Sequence, residues 1–107
     1  MPRTADEAVL IAQRALDSLS EELSITAAVM FGSYVDGSPH EGSDIDLAVF
    51  TPDESRLKLK ERARLQLGIQ HRYAMDLELH LYPDRALERA RPTNFYGYLL
   101  SHGRRPR

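Results

Sequence analysis

Phe31-Gly32-Ser33-Tyr34, a short loop, and then Ser43-Asp44-Ile45-Asp46-Leu47 form the stretch on which the architecture of this chain turns. Residues 25–31 are a short apolar run rich in β-formers and bounded by Gly32, which predicts a buried strand. The next eleven residues, 32–42, hold three Gly, three Ser or Pro and few apolar side chains. They read as a loop carrying one helical turn, with Ser33 at its N-terminus. Beyond it Ile45, Leu47 and Val49 alternate with Asp44, Asp46 and Ala48, the period of a second strand. The chain thus leaves one strand through a tight turn and enters the next with two acids on one face.

Working outward, Thr4-Ala5-Asp6-Glu7 is a capping box, with Thr4 as N-cap and Glu7 reaching back. Ala8, Ala12, Ala15, Leu16 and Leu19 follow at helical spacing and predict a helix over about residues 5–20. Thr51-Pro52-Asp53-Glu54 predicts a second helix start, with the helix running to Leu67, before Gly68. Residues 75–82 predict a third strand, with Leu77, Leu79 and Leu81 on one face and Asp76, Glu78 and His80 on the other. Pro83-Asp84 opens another helix, Pro92 interrupts it, and a last helical piece ends near His102-Gly103. Arg104 to Arg107 reads as a mobile basic tail. This order predicts one α+β domain over residues 1–107, a small mixed β-sheet flanked by helices, because no hairpin-length connection joins the strands.

The chemistry gathers around the quoted stretch. A Gly at a strand-to-helix junction lets a phosphate approach the backbone, and exposed N–H groups at Ser33 favour an anion. Asp44 and Asp46 leave the same face about 7 Å apart along the backbone. Such carboxylates repel unless a cation or proton lies between them. Mg²⁺ prefers these oxygen ligands and completes its shell with substrate phosphates. A third carboxylate would come from the next strand, where Asp76 and Glu78 compete on the same face. Asp76 is the favoured third ligand and could take the proton of an attacking hydroxyl, while Glu78, the competing candidate, reads as a solvated or supporting acid. Asp-x-Asp alone also describes two solvated strand-end acids, so the upstream Gly32-Ser33 carries the functional reading. His80 shares the face of Asp76, whereas His71 and His102 read as surface residues. Arg56, Lys60 and Arg64 are spaced i, i+4, i+8 and share one helix face, read as solvated. Phe95, Tyr96, Tyr98 and Leu99 read as core, with part of the set open to a partner.

Composition narrows the classes. The chain has 107 residues and no cysteine, which excludes disulfides and Cys-based zinc sites. No apolar run approaches a membrane span and no charged-then-apolar leader opens the sequence, so a cytoplasmic protein is expected. Fourteen basic residues against sixteen acidic ones argue against a general nucleic-acid binder. The charge is uneven, with two basic and six acidic residues in 1–36 but six and four in 73–107.

Gly32-Ser33, the loop and Ser43-Asp44-Ile45-Asp46-Leu47 together resemble the signature of the DNA polymerase β-like nucleotidyltransferase superfamily. The small size resembles its minimal nucleotidyltransferases, commonly the antitoxin halves of HEPN/MNT toxin–antitoxin pairs. The resemblance implies a palm-like fold over nearly the whole chain. It implies Mg²⁺ held by Asp44, Asp46 and Asp76, with ATP phosphates held by Gly32 and Ser33. It further implies transfer of AMP from ATP to a hydroxyl, a tyrosine of a HEPN-domain toxin, and a hetero-oligomer with that toxin or a homo-oligomer. One departure stands out. Minimal members often carry Arg or Lys after Gly-Ser-Tyr, where this chain has Asp36 and Gly37, with His40 and Glu41 beyond. An acid there repels a triphosphate, which motivates a second reading as an antitoxin that works by occlusion.

Overall fold

A computed structural model describes residues 4–32 and 44–106. The expected roles of Ser33, Asp36, Gly37, His40 and Glu41 lie outside the described residues. Helix α1 spans Ala5–Leu19 and is closed at its start by the capping box. The Thr4 hydroxyl accepts from the Glu7 N–H at 3.1 Å, and Glu7 Oε1 accepts from the Thr4 N–H at 3.3 Å. Its buried row of Ala8, Ala12, Ala15, Leu16 and Leu19 is the one the spacing predicts. Each fully buried leucine there contributes about 1.5–3 kcal/mol of transfer free energy.

Three strands follow the predicted order with shifted edges. They are β1 (Ala27–Phe31), β2 (Ile45–Thr51) and β3 (Leu77–Pro83). The sheet order is β1-β2-β3. β1 and β2 are antiparallel, pairing Phe31 with Asp46, while β2 and β3 are parallel, pairing Asp46 with Glu78 and Ala48 with His80. The sheet is therefore mixed, as the absence of hairpin connections predicts. One face carries Met30, Ile45, Leu47, Val49 and Leu77 against α1 and the central helix. The other carries Val29, Ala48 and Phe50 against Leu99 and Ala86.

The helical expectations need three corrections. Thr51 does not cap a helix; it ends β2, fully buried. Its hydroxyl accepts from the Asp53 N–H at 3.0 Å, closing a turn. Only a 3-10 turn, Glu54–Arg56, follows. The central helix α2 is Leu59–Arg72 and passes straight through Gly68. An interior Gly costs a helix about 1 kcal/mol, which the burial of Leu65 and Ile69 on either side offsets. Consequently Arg56 is not on the helix of Lys60 and Arg64. It pairs with Asp53, and Arg64 pairs with Glu22. After β3 comes a 3-10 helix, Asp84–Arg89, and then helix α3, Phe95–His102, capped by the Asn94 side chain on the Gly97 N–H.

Nor is the tail mobile as far as Pro106. Arg104 bridges the free edge of β1 through two backbone bonds with Met30, at 2.7 and 2.8 Å. The Gln13 amide donates to the Pro106 carbonyl. The opposite edge is closed by Gln66 of α2, whose amide donates to the Leu77 carbonyl and accepts from the Leu79 N–H. Both edges are thereby partly withdrawn from pairing with other chains. Among the described residues no helix is long and apolar enough to cross a membrane.

Asp53 ties the β2 end to the α1–β1 connection and supplies a pH test. Its carboxylate accepts from the Ser24 N–H at 2.9 Å and from Arg56 at 3.3 Å. The Ser24 bond foremost, and then Arg56, hold its carboxyl below the usual 3.8. A depressed folded value contributes stability that is present above the unfolded value and lost as pH falls through the folded one. Asp53→Asn is therefore expected to flatten the loss of stability on acidification below about pH 4. Urea midpoints of both chains across that range check this, and parallel curves would contradict it.

Candidate active site

The polar end of the sheet is built by strand alternation. Asp46 on β2 and Glu78 and His80 on β3 all leave the face that carries Val29, Ala48 and Phe50 further along. Among the described residues, α3 covers the apolar part of this face and not the start of β2 and β3. The parallel register puts Asp46 directly beside Glu78. Ala48 stands opposite His80, and its methyl group leaves room for the imidazole to lean toward Asp46. The result is an Asp46–Glu78–His80 group whose ligand atoms all lie within 4.8 Å of one another. His80 Nε2 is 3.2 Å from Asp46 Oδ1, with both side chains half-buried.

Gly32 belongs to the same corner. It ends β1 with φ +93°, a conformation that side chains rarely adopt. A Cβ built on it would lie 2.6 Å from Asp46 Oδ2. The Gly is needed for the turn, and also because the carboxylate occupies the space where a side chain would stand. Phe31, next to it, packs on the His80 ring at 5.2 Å between centroids and on Phe95 at 6.1 Å. Further along the same face, Tyr82 packs at a tilt on Phe50 and edge-on to Tyr96. Burial foremost, then Tyr96 and the Asp46 carboxylate, push the Tyr82 hydroxyl up from its ordinary value.

The other expected acids stand one level away. Asp44 is exposed just before β2, and Asp76 lies in the turn before β3, which begins at Leu77 rather than Met75. The Asp76 carbonyl accepts from the Ile45 N–H at 2.8 Å, so the two acids sit at matching heights. With Glu78, Gln66 and Gln70 they line an open hollow of about 390 Å³. Neither contributes a ligand atom to the Asp46 group. Of the two competing third carboxylates, Glu78 is the one brought beside Asp46. His80 completes the group, and the strand alternation that placed it on this face was its only signal in the sequence.

Two carboxylates side by side at a strand end, with an imidazole between them and the aromatic face, form a donor set for a divalent cation. The Gly32 turn beside them leaves backbone within reach of a phosphate. The model of the nucleotidyltransferase domain matches residues 12–97, which include the whole sheet, the Gly32 turn and the acids. Neither a comparison with curated proteins nor one with solved structures returns a match.

Proposed function

This chain belongs to the nucleotidyltransferase domain family, and we propose that it transfers AMP from ATP to a hydroxyl of a partner protein, a tyrosine of a HEPN-domain toxin, and so acts as an antitoxin. The observation that carries the transfer reading is the placement of Asp46 beside Glu78 at the open sheet end next to Gly32. The toxin partner and the choice of ATP rest on the resemblance of the Gly-Ser and Asp-x-Asp motifs to minimal nucleotidyltransferases.

The donor chemistry fits Mg²⁺. Asp46 and Glu78 offer carboxylate oxygens within 4.8 Å of each other, and Asp44 stands two residues before Asp46. Bound there, the cation supplies Lewis-acid polarisation of the phosphates and neutralises their charge. The residues do the rest. Asp46 and Glu78 would hold the cation at the strand ends. Gly32 would keep its backbone close to the β- and γ-phosphates, and the resemblance gives Ser33 the same task. Asp76, on the rim of the hollow, accepts the proton of the acceptor hydroxyl. The hydroxyl oxygen bonds to the α-phosphorus, the bond to the bridging oxygen breaks, and pyrophosphate leaves.

The test is transfer of label from α-labelled ATP to the co-purified partner. Glu78→Gln is expected to raise the half-saturating metal concentration about tenfold or more. Asp76→Asn is expected to slow transfer about 100-fold with the metal requirement unchanged. Tight complex formation with no label on the partner would overturn transfer and favour neutralisation by occlusion.

A further inference from the structure

We propose that His80 is a nitrogen ligand of the metal held by Asp46 and Glu78, so that this centre prefers a divalent transition ion to Mg²⁺. The inference rests on the metal-dependent reading given above and goes beyond it in the ligand set and the ion selected.

The geometry carries the argument. First-row divalent ions bond oxygen and imidazole nitrogen at about 2.0–2.2 Å, so ligands on opposite sides of one ion stand about 4.0–4.4 Å apart. The Asp46, Glu78 and His80 donor atoms all lie within 4.8 Å of one another, and the 3.2 Å between Asp46 Oδ1 and His80 Nε2 is close to the spacing of two neighbouring ligands on one ion. His80 Nε2 is the ring atom turned to the carboxylates, 3.2 Å from Asp46 Oδ1. Phe31 packs against the ring at 5.2 Å between centroids and hinders it from turning away, while the small Ala48 opposite leaves it room to lean toward Asp46. An all-carboxylate site suits Mg²⁺, which takes hard oxygen ligands and keeps its waters. An imidazole in the set shifts preference toward transition ions, which accept nitrogen readily. A merely positioning His80 would keep its hydrogen bond to Asp46 and never touch the ion.

Manganese-binding measurements on the full chain separate these roles. Free Mn²⁺ is followed by its electron spin resonance signal during titration, and the bound ion is examined by pulsed resonance for imidazole nitrogen coupling. The wild-type chain is expected to show that coupling, and His80→Gln to lose it. In the variant, Mn²⁺ affinity is expected to fall about tenfold or more, while Mg²⁺ affinity, read by competition, changes little. Bound Mn²⁺ without nitrogen coupling, displaced by Asp46→Asn but not by His80→Gln, would overturn the proposal and leave the metal reading standing. A wild-type chain that binds no Mn²⁺ would overturn both.

Discussion

Asp46→Asn is expected to lower nucleotidyl transfer on the order of 1,000-fold, about 4 kcal/mol of transition-state stabilisation, while the protein stays folded. Asp46 is the acid that every part of the site meets. It lies on the central strand, between Phe31 of β1 and Glu78 of β3, and its two oxygens face His80 and Gly32. The amide of Asn has the same shape, and its oxygen still accepts from His80. Loss of the negative charge also relieves repulsion with Glu78. The melting temperature is therefore expected to hold or rise by a few degrees, the usual signature of a site that trades stability for function. Thermal melts and the label-transfer assay on the same preparation check both halves. Undiminished transfer would remove Asp46 from the site, and an unfolded variant would make its role structural.

Gly32→Ala carries the second large effect, through two separate penalties. The backbone at φ +93° costs a residue with a side chain roughly 1–3 kcal/mol. The new methyl would also meet Asp46 Oδ2 at 2.6 Å. Something must shift, and the carboxylate is the part with freedom to turn. Its rotation away from Gly32 pulls it off the line shared with Glu78 and His80. The expected result is a loss of about 2 kcal/mol in stability and a fall in transfer of about 100-fold, since displaced positioning groups commonly cost that much. Denaturant unfolding gives the first number and the transfer rate the second. A variant that loses stability but keeps full transfer would show that the Gly serves only the turn.

The two variants together explain why the same short stretch was legible in the sequence. Gly32 was recognisable because few residues tolerate its turn, and Asp46 because an acid between Ile45 and Leu47 breaks an apolar run. Helix α1 was equally legible, since Thr4 and Glu7 cap it and its apolar spacing is purely local. The start of α2 was misread for a related reason. Thr51-Pro52-Asp53-Glu54 satisfies the local pattern of a helix cap, but the Asp53 carboxylate is taken by the Ser24 N–H, 29 residues away. The tail was misread because pairing of Arg104 with Met30 is a contact between distant segments that composition does not reveal.

Local chemistry in the sequence by itself determined the strands, the N-terminal helix, the mixed sheet and the face on which the acids stand. Alternation along a strand depends only on that strand. Which acid stands beside Asp46 was a matter for the tertiary structure alone. Asp76, Glu78 and His80 share one face by the same alternation, and the register of β3 against β2 decides among them. That register pairs Ile45 with Leu77, because both side chains are buried in the core beneath the sheet. A slip of two residues would keep every face and bring Asp76 to Asp46 instead. The packing of Leu77 under α1 and α2, rather than any pattern in the acids themselves, sets Glu78 and His80 beside Asp46.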